Sequence, residues 1–425
     1  MTRLETGLPP IAGMRRGRRS GTLAGLLAPG AAPVAKGFTD GTHRREAPAR
    51  TLARVMPRLS GFGVTRVARL TGFDRTGIEV FAAVRPNARG LSVANGKGLD
   101  PAAARVSAVM EAIERWHAER PSVALRFGEP ADLGRFGRAV DAAALPRRRA
   151  VPPGPLAWAE ATDLATGAPA LVPFDLVHTC WLADLPESPF LASTNGLASG
   201  TDAVEAALHA LCELIEGDSL ALFERLPPEA RAARRIDPRT IDDPAVAAMV
   251  AGLAARGFAL ALWDATTDIG VASLLCALTD LEAPRTPPGF GSGCHPERGV
   301  AALRAITEAA QTRAIAIAGT RDDLGPDLYA PGVGLRFRRT IEADAGPSRP
   351  WTAIPTAARD CLRADLRAVV AAVTAAGCGP VLAVDLSREP RLAVVRLVVP
   401  GLEPAAPTGE AVAGARAARP EAHFA

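Results

Sequence analysis

The sequence predicts an α+β fold, and three observations lead there. Strand-like and helix-like stretches alternate, but without the regular rhythm of a doubly wound nucleotide fold. Neither GxxxxGK[ST] nor a GxGxxG following a strand occurs, so the two common phosphate-binding folds are not indicated. Three segments share one pattern, a Gly-rich stretch running into an Ala-rich helix: NGKGLDPAAARVSAVMEAIER (Asn95 to Arg115), NGLASGTDAVEAALHALCELIEG (Asn195 to Gly217) and GSGCHPERGVAALRAITEAAQTR (Gly291 to Arg313).

In chain order, residues 1–34 lack periodicity and are rich in Gly, Ala and Arg, which predicts a mobile tail. Residues 46–58 carry an amphipathic helical pattern, and 64–70 and 78–84 read as strands. Asp100 followed by Pro101 is a strong helix start and opens the first repeat helix, to about residue 119. Residues 120–155 are basic and Pro-rich and read as a surface connection. Strands follow at 157–163 and 170–174, and the second repeat helix spans about 202–225 with Thr201 or Asp202 as its cap. A helix is expected near 243–255. Strands at 259–264 and 271–278 pair around the turn ATTDIG. The third repeat helix covers about 297–318, and the Gly-, Pro- and Arg-rich stretch 325–350 reads as a flexible loop. A helix at 357–376 and strands near 380–385 and 393–399 complete the domain, taken as 35–403, before a mobile C-terminal tail at 404–425.

Composition narrows the function. The chain has 425 residues, 48% hydrophobic, enough for a large core. Aromatic residues are only 4% and the net charge is +4, which speaks against single-stranded or duplex nucleic-acid binding. No apolar run reaches membrane-spanning length, and the start has no signal-peptide core, so neither a membrane role nor export is expected. The six cysteines form no CxxC or CxH pair, which excludes the usual zinc spacing and fits a reducing cytoplasm. Cys294, within a Gly-rich stretch, reads as an inert small residue.

The chemistry lies in polar triplets at i, i+4, i+7, which occupy one stripe of each repeat helix: Ser107/Glu111/Glu114, His209/Glu213/Glu216 and Arg304/Glu308/Gln311. Carboxylates on helices otherwise wrapped in Ala, Val, Leu and Ile are costly to bury without a compensating cation. Divalent ions holding a polyphosphate satisfy that requirement. Glu111 and Glu114, matched in register by Glu213 and Glu216, read as Mg²⁺ ligands. Ser107 is placed to touch nucleotide or metal-bound water, and Glu205 extends the second stripe. Asp218 and Glu224 read as surface charges, and His209 as a structural histidine. Arg304 suits a phosphate oxygen, since its fork matches the anion bidentately, while Gln311 can orient water. Arg321 is either a second phosphate contact or a charge on the helix C-terminal dipole. The Gly-rich stretches holding Lys97 and Asn195 read as anion-cradling loops. Lys36 and Arg44 are further basic candidates.

These segments resemble the YcaO-domain family, from about Lys36 to Glu403. The resemblance rests on GKGLDPAAARVSAVMEAIER, on NGLASG with ELIE, and on GSGCHPERGVAALRAITEAAQTR with TRDDL. It implies a YcaO-type fold of mixed sheets with acidic helices around a central ATP cavity, and ATP and Mg²⁺ as cofactors. It implies Glu111, Glu114, Glu213 and Glu216 as metal ligands. Ser107, Glu205, Arg304, Glu308 and Gln311 fall on nucleotide or metal positions, and Lys36 on a phosphate contact. Glu111, Glu213 and Arg304 carry the catalytic expectation. The implied reaction phosphorylates the oxygen of a peptide backbone amide, which a nucleophile then displaces. External sulfide gives a thioamide; a neighbouring Cys, Ser or Thr gives an azoline. KGFTDGTHR and RPN…LSVANGKG are similar to the branch that works with TfuA-type partners, linked to thioamide formation on ribosomally made peptides. The ending RPEAHFA lacks the alternating Pro pattern of azoline formers. ELIEGD carries Gly217 where many members have Arg, although Arg115 is retained in the first repeat. A precursor peptide or protein substrate, a TfuA-like partner and a homodimer are expected on the same ground. The alternatives are an azoline-forming cyclodehydratase and a nucleotide-binding accessory protein without chemistry of its own.

Overall fold

A computed structural model describes residues 23–180, 188–283, 285–321, 324–330, 332–343, 348–406 and 410–424. The chain begins with helix α1 (Pro48–Val55), then strands β1 (Arg66–Arg69), β2 (Glu79–Val84) and β3 (Val93–Gly98), an antiparallel three-stranded sheet. Helix α2 (Pro101–Ala118) packs across β2 and β3. A larger sheet follows, built from β4 (Leu125–Gly128), β5 (Arg138–Ala139), β6 (Leu156–Asp163), β7 (Pro169–Pro173) and β8 (Leu197–Gly200), and helix α3 (Ala203–Phe223) covers it. Two short helices, α4 (Pro228–Ala232) and α5 (Pro244–Ala255), lead to the antiparallel sheet of β9 (Phe258–Asp264), β10 (Ser273–Asp280) and β11 (Gly289–Cys294). Helix α6 (Arg298–Ala318) lies over β10 and β11. Helix α7 (Val333–Ala343), helix α8 (Leu362–Ala375), β12 (Leu382–Asp385) and β13 (Ala393–Val398) close the fold. The last two strands return to the large sheet, ordered β5-β7-β6-β12-β13-β8 with β4 beside β6.

The Gly-rich stretches expected as loops are largely strands, only Asn195 and Gly196 forming a turn before β8. Each lies directly beneath its own repeat helix, and this explains the glycines. A Cβ at Gly96 would lie 2.0 Å from the Ala108 nitrogen, and one at Gly291 would lie 2.3 Å from the Ala305 carbonyl oxygen. Opposite these glycines run Ala104, Ala108 and Ala112 on α2, and Ala301, Ala305 and Ala309 on α6, all fully buried. Strand and helix backbones thus touch with only hydrogen and methyl groups between them. The helix starts are as expected for two repeats. The Asp100 carboxylate accepts from Ala103 N at 2.8 Å, and that of Asp202 from Val204 N at 2.8 Å.

Several other expectations are corrected. Residues 23–34 are packed, with Leu23, Leu26 and Val34 buried in the core under α3 and α8; residues 1–22 of the expected tail lie outside the described residues. The connection 120–155 contains β4 and β5, and the stretch 325–350 contains α7. The segment after residue 403 is anchored where described. Asp218, read as a surface charge, is fully buried; it accepts from Glu403 N at 2.9 Å and pairs with Arg416 at 3.0 Å. Arg416 also pairs with Asp268 at 2.6 Å, and His423 reaches Asp268 at 2.9 Å. A buried carboxylate must keep its cation, and this requirement fastens the segment down. Among the described residues no helix is long and apolar enough to cross a membrane.

The strand–helix contact gives a direct test. Gly96→Ala should destabilise the protein by about 3 kcal/mol or more through overpacking, read as a lower urea midpoint. Gly61→Ala, where the added Cβ meets nothing within 4 Å, should leave that midpoint nearly unchanged.

Candidate functional site

Three strand–helix units, β3–α2, β8–α3 and β11–α6, bring their triplets together. In the first two, the middle acid bonds its own strand or the turn leading into it: Asn95 N on β3 donates to Glu111 at 3.2 Å, and Gly196 N, just before β8, donates to Glu213 at 3.1 Å. The last acid reaches the next unit's strand. Ser199 on β8 donates to Glu114 on α2 at 3.1 Å. Ser292 Oγ and Cys294 N on β11 donate to Glu216 on α3 at 2.6 and 2.9 Å. Lys97 on β3 closes the circle, pairing with Glu308 on α6 at 2.5 Å. Each unit therefore holds its neighbour through a carboxylate.

The acids form a row. Burial, the largest cause, pushes Glu114 well above the ordinary carboxylate range, and the charges of Glu213 and Glu111 add to it. Burial and the charge of Glu216 raise Glu213 to about 8. Glu216 is also raised, by burial and by Glu308. Glu111 is partly neutralised by an i+4 ion pair with Arg115. The Asn95 amide oxygen is buried without a hydrogen-bond partner. Among the described residues no group of three or more His, Cys, Asp or Glu side chains converges on a single ion position. The donors suit cations spread along the row: hard oxygen ligands, mutually repelling, and drawn to keep protons at neutral pH unless a cation replaces them.

Positive charge gathers around His209. Burial, with Arg304, Arg44 and Lys97 nearby, drives its pKa well below the ordinary value, so the imidazole is neutral. Its Nδ1 is buried and unpartnered. Arg304 is itself anchored, donating to the Cys294 carbonyl at 3.2 Å. Glu205, buried, accepts from Thr201 Oγ1 at 3.1 Å and from Arg44 at 3.4 Å. A row of acids beside a cluster of guanidinium and ammonium groups is a bipolar surface, suited to a polyanion that carries its own divalent cations.

The remaining expected residues are placed as follows. Ser107 and Gln311 are half-buried on their stripes, without hydrogen-bond partners among the described residues. Asn195 is half-buried at the start of its unit. Lys36 is held by Asp365 on α8 at 2.7 Å and by the Arg359 carbonyl at 2.6 Å. Arg321 is half-buried beyond the end of α6. Asn95, Ser199 and Ser292 were missed. Their signal was alternation: within LASG and GSGC the polar residue falls between small ones, the period of a strand with one face under a helix.

A family model described as YcaO cyclodehydratase, ATP- and Mg²⁺-binding, matches residues 95–403. A protein of Rhizobium leguminosarum bv. trifolii, described as lying in the tfuA 3′ region, is 37% identical over 396 residues, 90% of this chain and 93% of its own length. A protein of Methanothermobacter thermautotrophicus is 34% identical over 380 residues, 84% of this chain and 94% of its own. Among solved structures, YcaO from Methanopyrus kandleri bound with AMPPCP and Mg²⁺ superposes with TM-score 0.67 at 25% identity, over 87% of this chain and 95% of that one. A heterocyclase in complex with substrate and cofactor gives TM-score 0.72 at 20% identity, over 90% of this chain and 56% of that one.

The raised carboxylates set a pH signature. The folded protein keeps protons that the unfolded chain releases in the ordinary carboxylate range, so this stabilisation is complete in acid and is lost as pH rises through about 8. In EDTA, the melting temperature of the wild type should fall between pH 5 and 8, and Glu213→Gln should flatten that fall. Mg²⁺ with a non-hydrolysable ATP analogue should reverse it, with affinity rising over the same interval. Scanning fluorimetry across pH reads all three.

Proposed function

Because this chain belongs to the YcaO family, with ATP and Mg²⁺ as its cofactors, we propose that it activates a peptide backbone amide with ATP and completes the reaction with a sulfur nucleophile, giving a thioamide. The observation that carries the ATP half is the row Glu111–Glu114–Glu213–Glu216–Glu308 beside Arg44, Lys97 and Arg304. The sulfur half is supported by similarity to the Rhizobium protein of the tfuA 3′ region.

Glu111, Glu114, Glu213 and Glu216 would hold Mg²⁺, and Arg304 would hold phosphate, with Ser107, Asn195, Glu205, Glu308, Gln311 and Lys97 completing the nucleotide contacts. Bound Mg²⁺·ATP supplies a phosphoryl group that turns a poor leaving group, the amide oxygen, into a good one. The protein's own contribution is positioning and charge. Serine hydroxyls and strand amides fix each carboxylate from behind, so its free oxygen lone pairs face the ligand in one orientation. Arg304, tied to the Cys294 carbonyl, offers its remaining nitrogens without rearrangement. Lys97 and Glu308 neutralise each other until a ligand draws them apart. Lys36 and Arg321 belong to this reading as outer phosphate contacts; for Lys36 that requires exchanging Asp365 for the ligand. A TfuA-like partner supplies the sulfur step, the substrate is a ribosomally made peptide or protein, and the setting is the cytoplasm.

Glu111→Gln and Glu213→Gln should each reduce peptide-dependent ATP turnover by at least about 10²-fold, the scale for loss of one preorganised charge contact. Mass spectrometry of the peptide product identifies the nucleophile. Sulfur in place of oxygen supports thioamide formation, loss of water would assign azoline formation instead, and unchanged peptide with every partner present would leave an accessory role.

A further inference from the structure

The large sheet is notched along one edge of β6. Strand β7 occupies the other edge, from Trp158 to Thr162. On the notched edge, β4 pairs from Leu156 to Ala159, and β12 pairs only at Thr162 and Asp163. The last bond on the β4 side runs from Glu160 N to the Ala124 carbonyl, 3.1 Å. A cavity of about 380 Å³ opens between the two strands, the size of a ligand pocket. One wall is the chain leading into β4, from Ser122 to Ala124; the other is the connection from β12 to β13, including Asp385 and Arg388. No residue assigned above to the metal ions or the nucleotide lines it.

Ser122 and Val123 are half-buried and make no hydrogen bond among the described residues, through main chain or side chain. Unpaired main-chain groups beside an interrupted sheet edge are a template for another extended segment. The charges inside are unequal in their freedom. Glu160 pairs with Arg126 at 2.5 Å, and Asp202 with Arg45 at 3.4 Å. Asp385 is half-buried and accepts from Ser387 N at 2.9 Å, but among the described residues no cation lies against it. Arg388, exposed, rests over the Trp116 ring, 5.3 Å from its centroid. At its far end the cavity reaches Thr201, whose Oγ1 donates to Glu205 at 3.1 Å. Ser199, two residues earlier, holds Glu114. Two residues of extended chain span roughly 7 Å, so the cavity ends close to the acid row.

We propose that this notch receives the substrate peptide as an added extended segment, its main chain paired with Ser122 and Val123 and a basic side chain set against Asp385. The inference rests on the peptide-amide reading above and adds where the peptide enters: along the open edge of β6 and past the start of α3, toward Glu205 and Glu114. Main-chain pairing holds a strand of almost any sequence, and Asp385 adds selection by charge.

The probe is acetyl-Val-Lys-Val-Thr-amide with photoleucine in place of its first valine, titrated against the full chain and crosslinked by light. Its β-branched residues favour an extended chain, and lysine carries its only charge. Mass spectrometry should map the crosslinks to residues 122–124 or 385–393. Ser122→Trp, which fills the cavity, should weaken binding by about tenfold or more. Asp385→Asn should weaken it by about threefold, the scale of a partly exposed charge pair. Asparagine still accepts from Ser387 N, so this variant reports on the notch even if Ser122→Trp fails to fold. Replacing the probe's lysine by glutamate should lower its affinity for wild type. Crosslinks confined to other residues, equal binding by all three proteins, or no binding by wild type overturns the proposal. Crosslinking in the notch, with peptides left unchanged by ATP and every partner, would support the docking site and strike the amide-activation reading. Peptide-dependent ATP turnover indifferent to both variants would do the reverse.

Discussion

Direct contact between a glycine-bearing strand and an alanine-bearing helix is the constraint on which this protein depends. It occurs in all three units, at Gly96 and Gly98 against α2, Gly200 against α3, and Gly291 and Gly293 against α6. Side chains are nearly absent from these contacts, so each helix stripe beside them is free to carry polar groups. The same closeness lets a helix carboxylate reach a backbone amide of the strand or of the turn before it, as Glu111 does at Asn95 and Glu213 at Gly196. Removal of bulk on one face of the helix thus sets the chemistry on another.

The electrostatics follow from that packing. Acids held by hydroxyls and amides, with few cations against them, repel one another along the row and are drawn toward protonation. Their partners are mostly neutral donors, so their negative charge is oriented without being cancelled. Arg44, Lys97 and Arg304 gather around a neutral His209, with Lys97 paired to Glu308 and Arg44 to Glu205 where the two signs of charge meet. Such a surface favours a ligand carrying both signs over a simple anion or a lone metal ion.

The repeat helices and their acids were legible because a 3.6-residue period and Asp caps are local signals. Asp100 and Asp202 cap α2 and α3 as expected. The strands β3, β8 and β11 were not, because glycine carries no strand preference and its purpose here is set by a helix elsewhere in the chain. Asp218 shows the same limit from the other side: nothing in ELIEGD reveals that Arg416 returns to meet it. The notch along β6 sat inside ordinary strand patterns, and only the pairing of β4 and β12 displays it. The acids of the site were thus visible from their own helices, whereas the neighbours that aim them are remote in the chain.

The circular hand-off between units also governs when the site comes into being. Glu114 and Ser199 are separated by 85 residues, Glu216 and Ser292 by 76, and Lys97 and Glu308 by 211. Such distant pairings close late, after much chain entropy has been lost. During synthesis, Lys97 leaves the ribosome long before its glutamate exists. A nascent chain carrying two units therefore displays acids without the third unit that completes them, and competence arrives only when the ring shuts.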